Sequence, residues 1–276
     1  MNMKTRTILS KALIHFFLLL GVFVTLFPFL WMILTSFKTD VECVQVPPTF
    51  LPQNWTFAGY ERVWSRNILV AYKNTIIVAV SIVFFQLLTA SMAAYSLARL
   101  NFPGKKLIFG LILCMMMVPQ NMTLIPKYKI VSALGFNDSL LGVVIPNFIS
   151  ISVTFFIRQN FMSFPGELED AAKIDGYSRL KIFTRMLIPL SGSILTAMGV
   201  MVLLWAWNDL LWPTIIITSE KYRVLSMFIA LCKGQYITDY GFLMAASVLA
   251  ILPMVVIYAI CQKSFVRSIA MTGIKG

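Results

Sequence analysis

Six long runs of uncharged, mostly apolar residues divide this sequence, and short segments with charges and prolines separate them. A helix needs about 20 such residues to cross the roughly 30 Å hydrocarbon core of a bilayer. The pattern therefore predicts an all-α membrane protein with six transmembrane helices in a single domain over residues 1–276. The six predicted spans are residues 12–37, 74–98, 107–126, 139–157, 186–208 and 240–262. Prolines that should kink or end helices fall within four of them, at Pro28, Pro119, Pro146 and Pro253.

The composition supports a membrane protein and excludes other classes. With 59% hydrophobic residues, the chain is more apolar than a soluble domain of 276 residues could bury in one core. The net charge of +12 does not indicate nucleic-acid binding, because the basic residues are dispersed over loops at the span ends rather than gathered on one soluble face. The first span is too long for a signal-peptide core and has no small-residue cleavage site, so we expect it to be retained.

The lysines and arginines predict the orientation, because loops on the cytoplasmic side retain positive charge. With both termini in the cytoplasm, the outer segments hold nine of the 23 basic residues and the cytoplasmic segments hold the other 14. The nine are Lys38, Arg62, Arg66, Lys73, Lys127, Lys129, Lys221, Arg223 and Lys233. Cys43 and Cys232 also fall in predicted outer loops, where a disulfide and two free thiols both remain open.

The segment between the fourth and fifth spans, residues 158–186, is predicted to be cytoplasmic and to contain two short helices. Pro165 suits a first helical turn, and the acids that follow it suit the positive end of a helix. Gly176 provides a left-handed stop, and Ser178 is a suitable N-cap for the second helix, which runs towards Pro189.

Helices this short are marginal in water alone, so another surface must hold them. Small side chains at Ala171 and Ala172 allow close approach, and acids lie beside apolar residues. The apolar residues are Ile174, Tyr177, Ile182 and Phe183. This combination suits docking into a groove of a second protein. The alternative is a pair of interfacial helices that pack only on their own bundle.

These residues resemble the coupling loop of binding-protein-dependent ABC importer permeases, whose signature is Glu-Ala-Ala, then Asp-Gly, then a distal proline. Aspartate replaces the glutamate here, and the proline that often follows Pro189 is replaced by Ser191-Gly192-Ser193. The resemblance assigns contact with an ATPase to Glu169, Asp170, Ala171, Ala172, Asp175, Gly176, Phe183 and Pro189.

Further matches along most of the chain resemble the carbohydrate branch of that family, in particular the second permease of maltose-type systems. They include Phe29-Leu30-Trp31, Ser36-Phe37-Lys38-Thr39, Ala94-Tyr95-Ser96-Leu97-Ala98-Arg99, Leu124-Ile125-Pro126, Trp207-Asn208-Asp209, Trp212-Pro213 and Gly273-Ile274-Lys275-Gly276. The ordered set is specific, whereas any one of these motifs alone would mean little.

The resemblance implies a permease in the bacterial inner membrane that imports a sugar or oligosaccharide delivered by an extracytoplasmic binding protein. The implied partners are a second homologous permease, two cytoplasmic ATPase subunits, the binding protein and membrane lipid. We expect ATP and Mg²⁺ to bind to the ATPase, and no cofactor or enzymatic activity in this chain. Its Gly104-Lys105-Lys106 lacks the upstream glycine and the hydroxyl of a phosphate-binding loop.

Candidate residues for the solute path are Trp207, Asn208, Asp209 and Asn147, which combine an aromatic face with polar groups. Asp209 could equally serve as a cap or ion-pair partner at the membrane interface. An ion-coupled secondary transporter is the alternative function, but it should show intramembrane charges or an internal repeat. A membrane-embedded enzyme lacks support, since the chain has a single histidine and no metal-binding motif.

Overall fold

The structure is a computed structural model that describes residues 3–233 and 238–273, without the side chains of residues 3–10, 12 and 263–273. Within these ranges the chain is almost entirely helical and contains no β-strand, which confirms the all-α prediction. The end of the terminal Gly273–Gly276 motif lies outside the described residues. In chain order the α-helices are α1 (Met3–Thr35), α2 (Asp40–Cys43), α3 (Ala58–Ser65), α4 (Ile68–Arg99), α5 (Lys105–Met116), α6 (Leu124–Ala133), α7 (Leu140–Val144), α8 (Ile151–Met162), α9 (Gly166–Ile174), α10 (Arg179–Ile182), α11 (Ile188–Leu190), α12 (Gly192–Asn208), α13 (Leu211–Ile216), α14 (Leu225–Cys232) and α15 (Tyr240–Gly273).

Within the described residues, three helices are continuous and apolar enough to cross a membrane, namely α1, α4 and α15. The other three predicted spans are bent helix pairs, so the chain has six candidate spans when each pair is taken as one. The pairs are Lys105–Met116 with Gln120–Ala133, bent by 97°, Leu140–Asn147 with Ile151–Met162, bent by 41°, and Arg179–Leu190 with Gly192–Asn208, bent by 76°. The predicted polytopic fold is therefore confirmed, with half of its spans broken.

Only some of the four prolines interrupt helices. Pro119 lies in the break between α5 and the following 3₁₀ turn, and Pro146 lies in the 3₁₀ turn just before the break that precedes α8. Pro28 and Pro253 lie inside α1 and α15, which continue through them. Membrane helices tolerate proline when neighbouring groups satisfy the freed carbonyl, so proline alone does not locate a break.

Two helix ends differ from the predicted ends of spans. Lys127 was expected in an outer loop over residues 127–138, but α6 continues as a helix to Ala133. The uncharged run in the sequence ends at this lysine, although the Asn147 side chain and the Trp212 ring contact its ammonium. The fifth span is predicted to begin at Met186, and the helical run that contains Met186 begins at Arg179, where the second loop helix is predicted, and bends at Ser191.

The described residues form two compact units. Unit one comprises residues within 1–68 and 229–253, and unit two comprises residues within 69–228 and 254–276. In unit one, α1 leaves every described side chain from Leu13 to Leu30 exposed, so this helix has a surface available to lipid or to another chain.

The segment after α1 in unit one has a fixed arrangement of its own. Arg62 donates to both carboxylate oxygens of Asp40 at 2.8 and 2.7 Å and forms an ion pair with Asp239 at 2.7 Å. A side chain on Gly59 would come within 2.7 Å of the Gly241 carbonyl oxygen, so this close backbone approach requires glycine. Cys43 forms no disulfide with Cys232 in this structure, which decides that alternative against a bridge between them.

Unit two contains a core of buried aliphatic and aromatic residues from several helices. Ile157 and Phe161 of α8 and Leu187 before α11 are fully buried, together with Val202 of α12 and Ile216 of α13. Burial of side chains of this size contributes about 1.5–3 kcal/mol each. The core holds the segments that carry both candidate sites described next.

Candidate coupling loop and solute path

The loop between α8 and α12 has the local structure that its sequence predicts. The first helix, α9, starts after Pro165 and ends before Gly176, whose φ of +76° is left-handed. The Gly176 N–H donates to the Lys173 carbonyl at 3.0 Å. The Ser178 hydroxyl oxygen accepts from the Lys181 N–H at 3.3 Å and so caps α10. Two short helices joined by a tight turn are therefore confirmed.

One acid of this loop is held inside the protein. Glu169 is buried and forms an ion pair with Arg99, the last residue of α4, with Nε and Oε1 3.0 Å apart. Arg99 also donates to the carbonyls of Phe161 and Phe164 at 2.6 and 2.7 Å. A single guanidinium thus ties α4, the end of α8 and the first turn of α9 together.

The second short helix is also fixed to α4. The Phe183 ring packs against Tyr95 with ring centroids 5.2 Å apart, and the Tyr95 hydroxyl donates to the Arg179 carbonyl at 3.2 Å. Phe183 and Ile182 are buried, which corrects the expectation that they offer apolar contact to another protein. Ala172 is buried as well, so of the two alanines only Ala171 is exposed.

On the opposite side of the loop, several side chains are exposed. Ile174 is 87% exposed and Leu180 is 71% exposed, although both are large apolar residues. We call the exposed side chains of Asp170, Ala171, Ile174 and Leu180 together the loop face. Asp170 pairs only at the surface, with Lys173 at 2.8 Å. Exposed apolar residues beside charges are typical of an interaction site, so the alternative of helices that pack only on their own bundle explains just the buried side.

The remaining predicted loop residues lie around this face. Asp175 and Gly176 are exposed at the turn, and Pro189 is exposed in α11. Between α10 and α11 the chain makes a π-helical turn, Phe183–Leu187, and Ser191 is fully buried where the run bends by 76° into α12. Ser191-Gly192-Ser193, which replace the proline that often follows in the resembled family, therefore lie at a bend of the helical run.

The candidate path residues fall into two groups. The Asn147 side-chain oxygen accepts from the Lys127 ammonium at 3.0 Å, and its backbone oxygen accepts from the Gln86 amide at 2.7 Å. Lys127 also lies 4.1 Å from the centre of the Trp212 ring. The Asp209 carboxylate accepts a long hydrogen bond from the backbone N–H of Trp212, at 3.4 Å. We call Gln86, Lys127, Asn147, Asp209 and Trp212 the polar cluster.

Trp207 and Asn208 have different surroundings. Trp207 is buried, and its ring centre lies 6.4 Å from that of Tyr72. Asn208 is exposed and donates to the Leu204 carbonyl of its own helix at 2.8 Å. The structure therefore brings Asn147 and Asp209 into one cluster and gives the other two candidates separate contacts.

Sequence reasoning missed Lys127, which connects the members of the cluster. The available signal was a single lysine directly after Leu124-Ile125-Pro126, within a stretch that continues as a helix. An ionisable residue in such a segment is a candidate functional group.

Comparisons with known proteins agree with the expectations from the motifs. Residues 86–271 match the family model of the binding-protein-dependent transport system inner membrane component. The chain is 31% identical to the arabinooligosaccharides transport system permease protein AraQ of Halalkalibacterium halodurans, over 100% of both chains. It is 29% identical to the sn-glycerol-3-phosphate transport system permease protein UgpE of Rhizobium meliloti, over 96% of this chain and 97% of that one.

The fold is similar to that of a chain in the crystal structure of a bacterial ABC transporter involved in the import of the acidic polysaccharide alginate. The TM-score is 0.83 at 22% identity, with 95% of this chain and 97% of that chain covered. The family match includes both the coupling loop and the whole polar cluster. The chain therefore belongs to the family of binding-protein-dependent transport system inner membrane components and is a multi-pass protein of the inner membrane.

Proposed function

We propose that this chain is one permease subunit of an ATP-binding cassette importer for a sugar or oligosaccharide that an extracytoplasmic binding protein delivers. Family membership supports the dependence on a binding protein, and the name of the AraQ relative supports an oligosaccharide. The UgpE relative, named for sn-glycerol-3-phosphate, keeps a phosphorylated polyol as a second candidate solute.

The single observation that carries the proposal is the two-sided coupling loop. Its inner side is fixed to α4 by the Arg99–Glu169 ion pair and by Tyr95, while the loop face leaves Ile174 and Leu180 exposed. A partner that grips the loop face can therefore displace α4 without unfolding the loop, because the loop and the span are joined by buried contacts. Such a link transmits movement between two states of a transporter.

The proposed partner on the loop face is one of two cytoplasmic ATPase subunits. In this arrangement Asp170, Ala171, Asp175 and Gly176 make or shape the contact, and Pro189 leads towards α12. Glu169, Ala172 and Phe183 act as positioning residues, because they are buried within this chain. ATP and Mg²⁺ bind to the ATPase, and no catalytic step takes place on this chain.

The location of the ATPase determines the proposed orientation. The loop face lies on the cytoplasmic side, and six crossings then place both termini in the cytoplasm. The exposed face of α1 is available to lipid and to the second homologous permease with which we expect this chain to form a heterodimer. Asn147 and Asp209 lie on the solute path of this half, and Trp207 and Asn208 remain candidates beside it.

Purification with a tag on this chain from its native membrane tests the proposal. We expect an ATPase with a phosphate-binding loop and a second permease to co-purify, and uptake by reconstituted vesicles to require ATP. Protonophores should leave ATP-driven uptake unchanged. Uptake by the single chain without nucleotide, abolished by a protonophore, would instead establish the ion-coupled secondary transporter.

A further inference from the structure

The polar cluster gathers charged and amide groups from separate segments of unit two. Gln86 lies on α4, Lys127 on α6, Asn147 in the 3₁₀ turn after α7, and Asp209 between α12 and α13. Several of these positions adjoin interruptions of the helices. Interrupted helices at membrane depth are tolerated where they line a cavity or are covered by protein, and they form the solute sites of many transporters.

Lys127 is held in place but retains capacity to donate. Its ammonium has three N–H groups. One donates to Asn147, and the ammonium lies over the Trp212 ring. Asn147 is itself fixed, because its side-chain amide donates to the Val143 carbonyl at 2.9 Å. Trp212 is fixed by a bond from its indole N–H to the Gly142 carbonyl at 3.2 Å. The ammonium therefore has a defined position and at least one N–H to offer to a solute oxygen.

An acceptor lies near this donor. The Asp209 carboxylate accepts from the backbone N–H of Trp212, the residue whose ring lies under the Lys127 ammonium, yet among the described residues Lys127 and Asp209 do not form an ion pair. The side-chain oxygen of Gln86, whose amide donates to the Asn147 backbone, is buried and has no hydrogen-bond partner within the described part of the chain. Polar groups left in this state at membrane depth are costly unless a ligand satisfies them.

We propose that Lys127 and Asp209 form a subsite for two neighbouring hydroxyl groups of an uncharged polyhydroxylated solute. One hydroxyl oxygen accepts from the Lys127 ammonium, and the adjacent hydroxyl donates to the Asp209 carboxylate. The two charges cancel, so the subsite favours a neutral sugar over one that carries a carboxylate or phosphate. This inference rests on the proposed function, because it names a contact for the solute that the importer carries.

Uptake kinetics in the intact transporter test the subsite. The probes are radiolabelled neutral oligosaccharides prepared from starch, cellulose and arabinan, with oligogalacturonides as the acidic comparison. We expect wild-type cells to take up at least one neutral probe. Lys127→Met and Asp209→Asn should each raise the KM for it by about ten- to a hundredfold, the value of one hydrogen bond to a charged group. Lys127→Arg should recover part of the loss, since it restores a charged donor.

Lys129→Met is the matched control, because Lys129 is exposed on the same helix two residues further on. It should leave uptake unchanged. Equal amounts of each variant in the membrane, with partners co-purified, exclude failure to fold. A change in KM rather than in kcat distinguishes loss of a solute contact from a structural effect. Wild-type KM values in both Lys127→Met and Asp209→Asn, or uptake of oligogalacturonides alone or of no neutral probe, would overturn the subsite. Loss of ATP dependence would instead overturn the proposed function itself.

Discussion

The coupling loop and the polar cluster, both in unit two, are built in different ways. The loop is continuous in sequence, and its turn, cap and acids follow one another between Pro165 and Pro189. The polar cluster is assembled from residues as distant as Gln86 and Trp212, through contacts that exist only in the fold. A contiguous site can be recognised from a motif, whereas a dispersed one requires the structure.

The two regions also use their charges differently. The loop buries one acid, Glu169, against Arg99 and leaves its neighbour Asp170 exposed. In the polar cluster, Lys127 and Asp209 both contact Trp212 but form no ion pair with each other among the described residues. In the loop, the Arg99–Glu169 ion pair fixes the position of α9 against α4. In the proposed subsite, the charges of Lys127 and Asp209 contact the solute instead.

The largest expected effect separates the two adjacent acids of the loop. In Glu169→Gln the Arg99 guanidinium keeps its buried position without its counter-charge. Breaking one partner of a buried pair costs about 3–5 kcal/mol. We expect a lower melting temperature of the purified transporter and loss of ATP-driven uptake. Asp170→Asn, the matched control, removes only an exposed pair and should leave the melting temperature unchanged. Equal melting temperatures for the two variants would contradict the distinction between an anchoring and a surface acid.

The second largest effect concerns the loop face, where substitutions should reduce uptake without lowering the stability of the fold. Ile174→Glu and Leu180→Glu place a charge where the isolated chain exposes an apolar side chain, so the chain should fold and insert normally. Docking loses about 1.5–3 kcal/mol of apolar burial for each residue, and a charge forced into the groove adds to this loss. We expect ATP-driven uptake to fall by at least tenfold and less ATPase to co-purify. Val46→Glu is the control, because Val46 is 90% exposed on the segment after α1. Normal co-purification in both loop variants would contradict docking at this face.

The difference between the regions also explains what could be predicted from the sequence. The helical class and the approximate spans follow from apolar length, and Gly176 and Ser178 follow from local backbone chemistry. The burial of Glu169 does not follow from the sequence, because its partner Arg99 lies 70 residues earlier and contacts it only in the folded chain. The contacts of Lys127 do not follow from the sequence for a related reason. A charge ends a run in a hydropathy pattern, but in the fold an amide and an aromatic ring satisfy it.

The smallest expected effect concerns the support of the polar cluster by Asp138, in the connection between α6 and α7. Its carboxylate accepts from the N–H groups of Thr218 and Ser219 at 2.9 and 2.8 Å, and the Asp138 N–H donates to the Ile216 carbonyl. These bonds join the segments that carry Lys127 and Asn147 to the end of α13, which carries Trp212. The hydrogen bonds from Ser219 and Thr218 lower the pKa of Asp138 to about 2.

Because the folded-state pKa lies below that of the unfolded chain, the Asp138 carboxylate stabilises the fold fully above about pH 4, and this contribution is lost as the pH falls towards about 2. Asp138→Asn should lower the melting temperature of the purified transporter slightly at pH 7. The difference from wild type should shrink between pH 5 and pH 2.5, since protonation removes the same charge. In the variant, the KM for a neutral solute should rise by less than in Lys127→Met, because Asp138 supports the cluster without contacting the solute. A difference in melting temperature that stays constant over this pH range would show that the ionised carboxylate does not stabilise this connection.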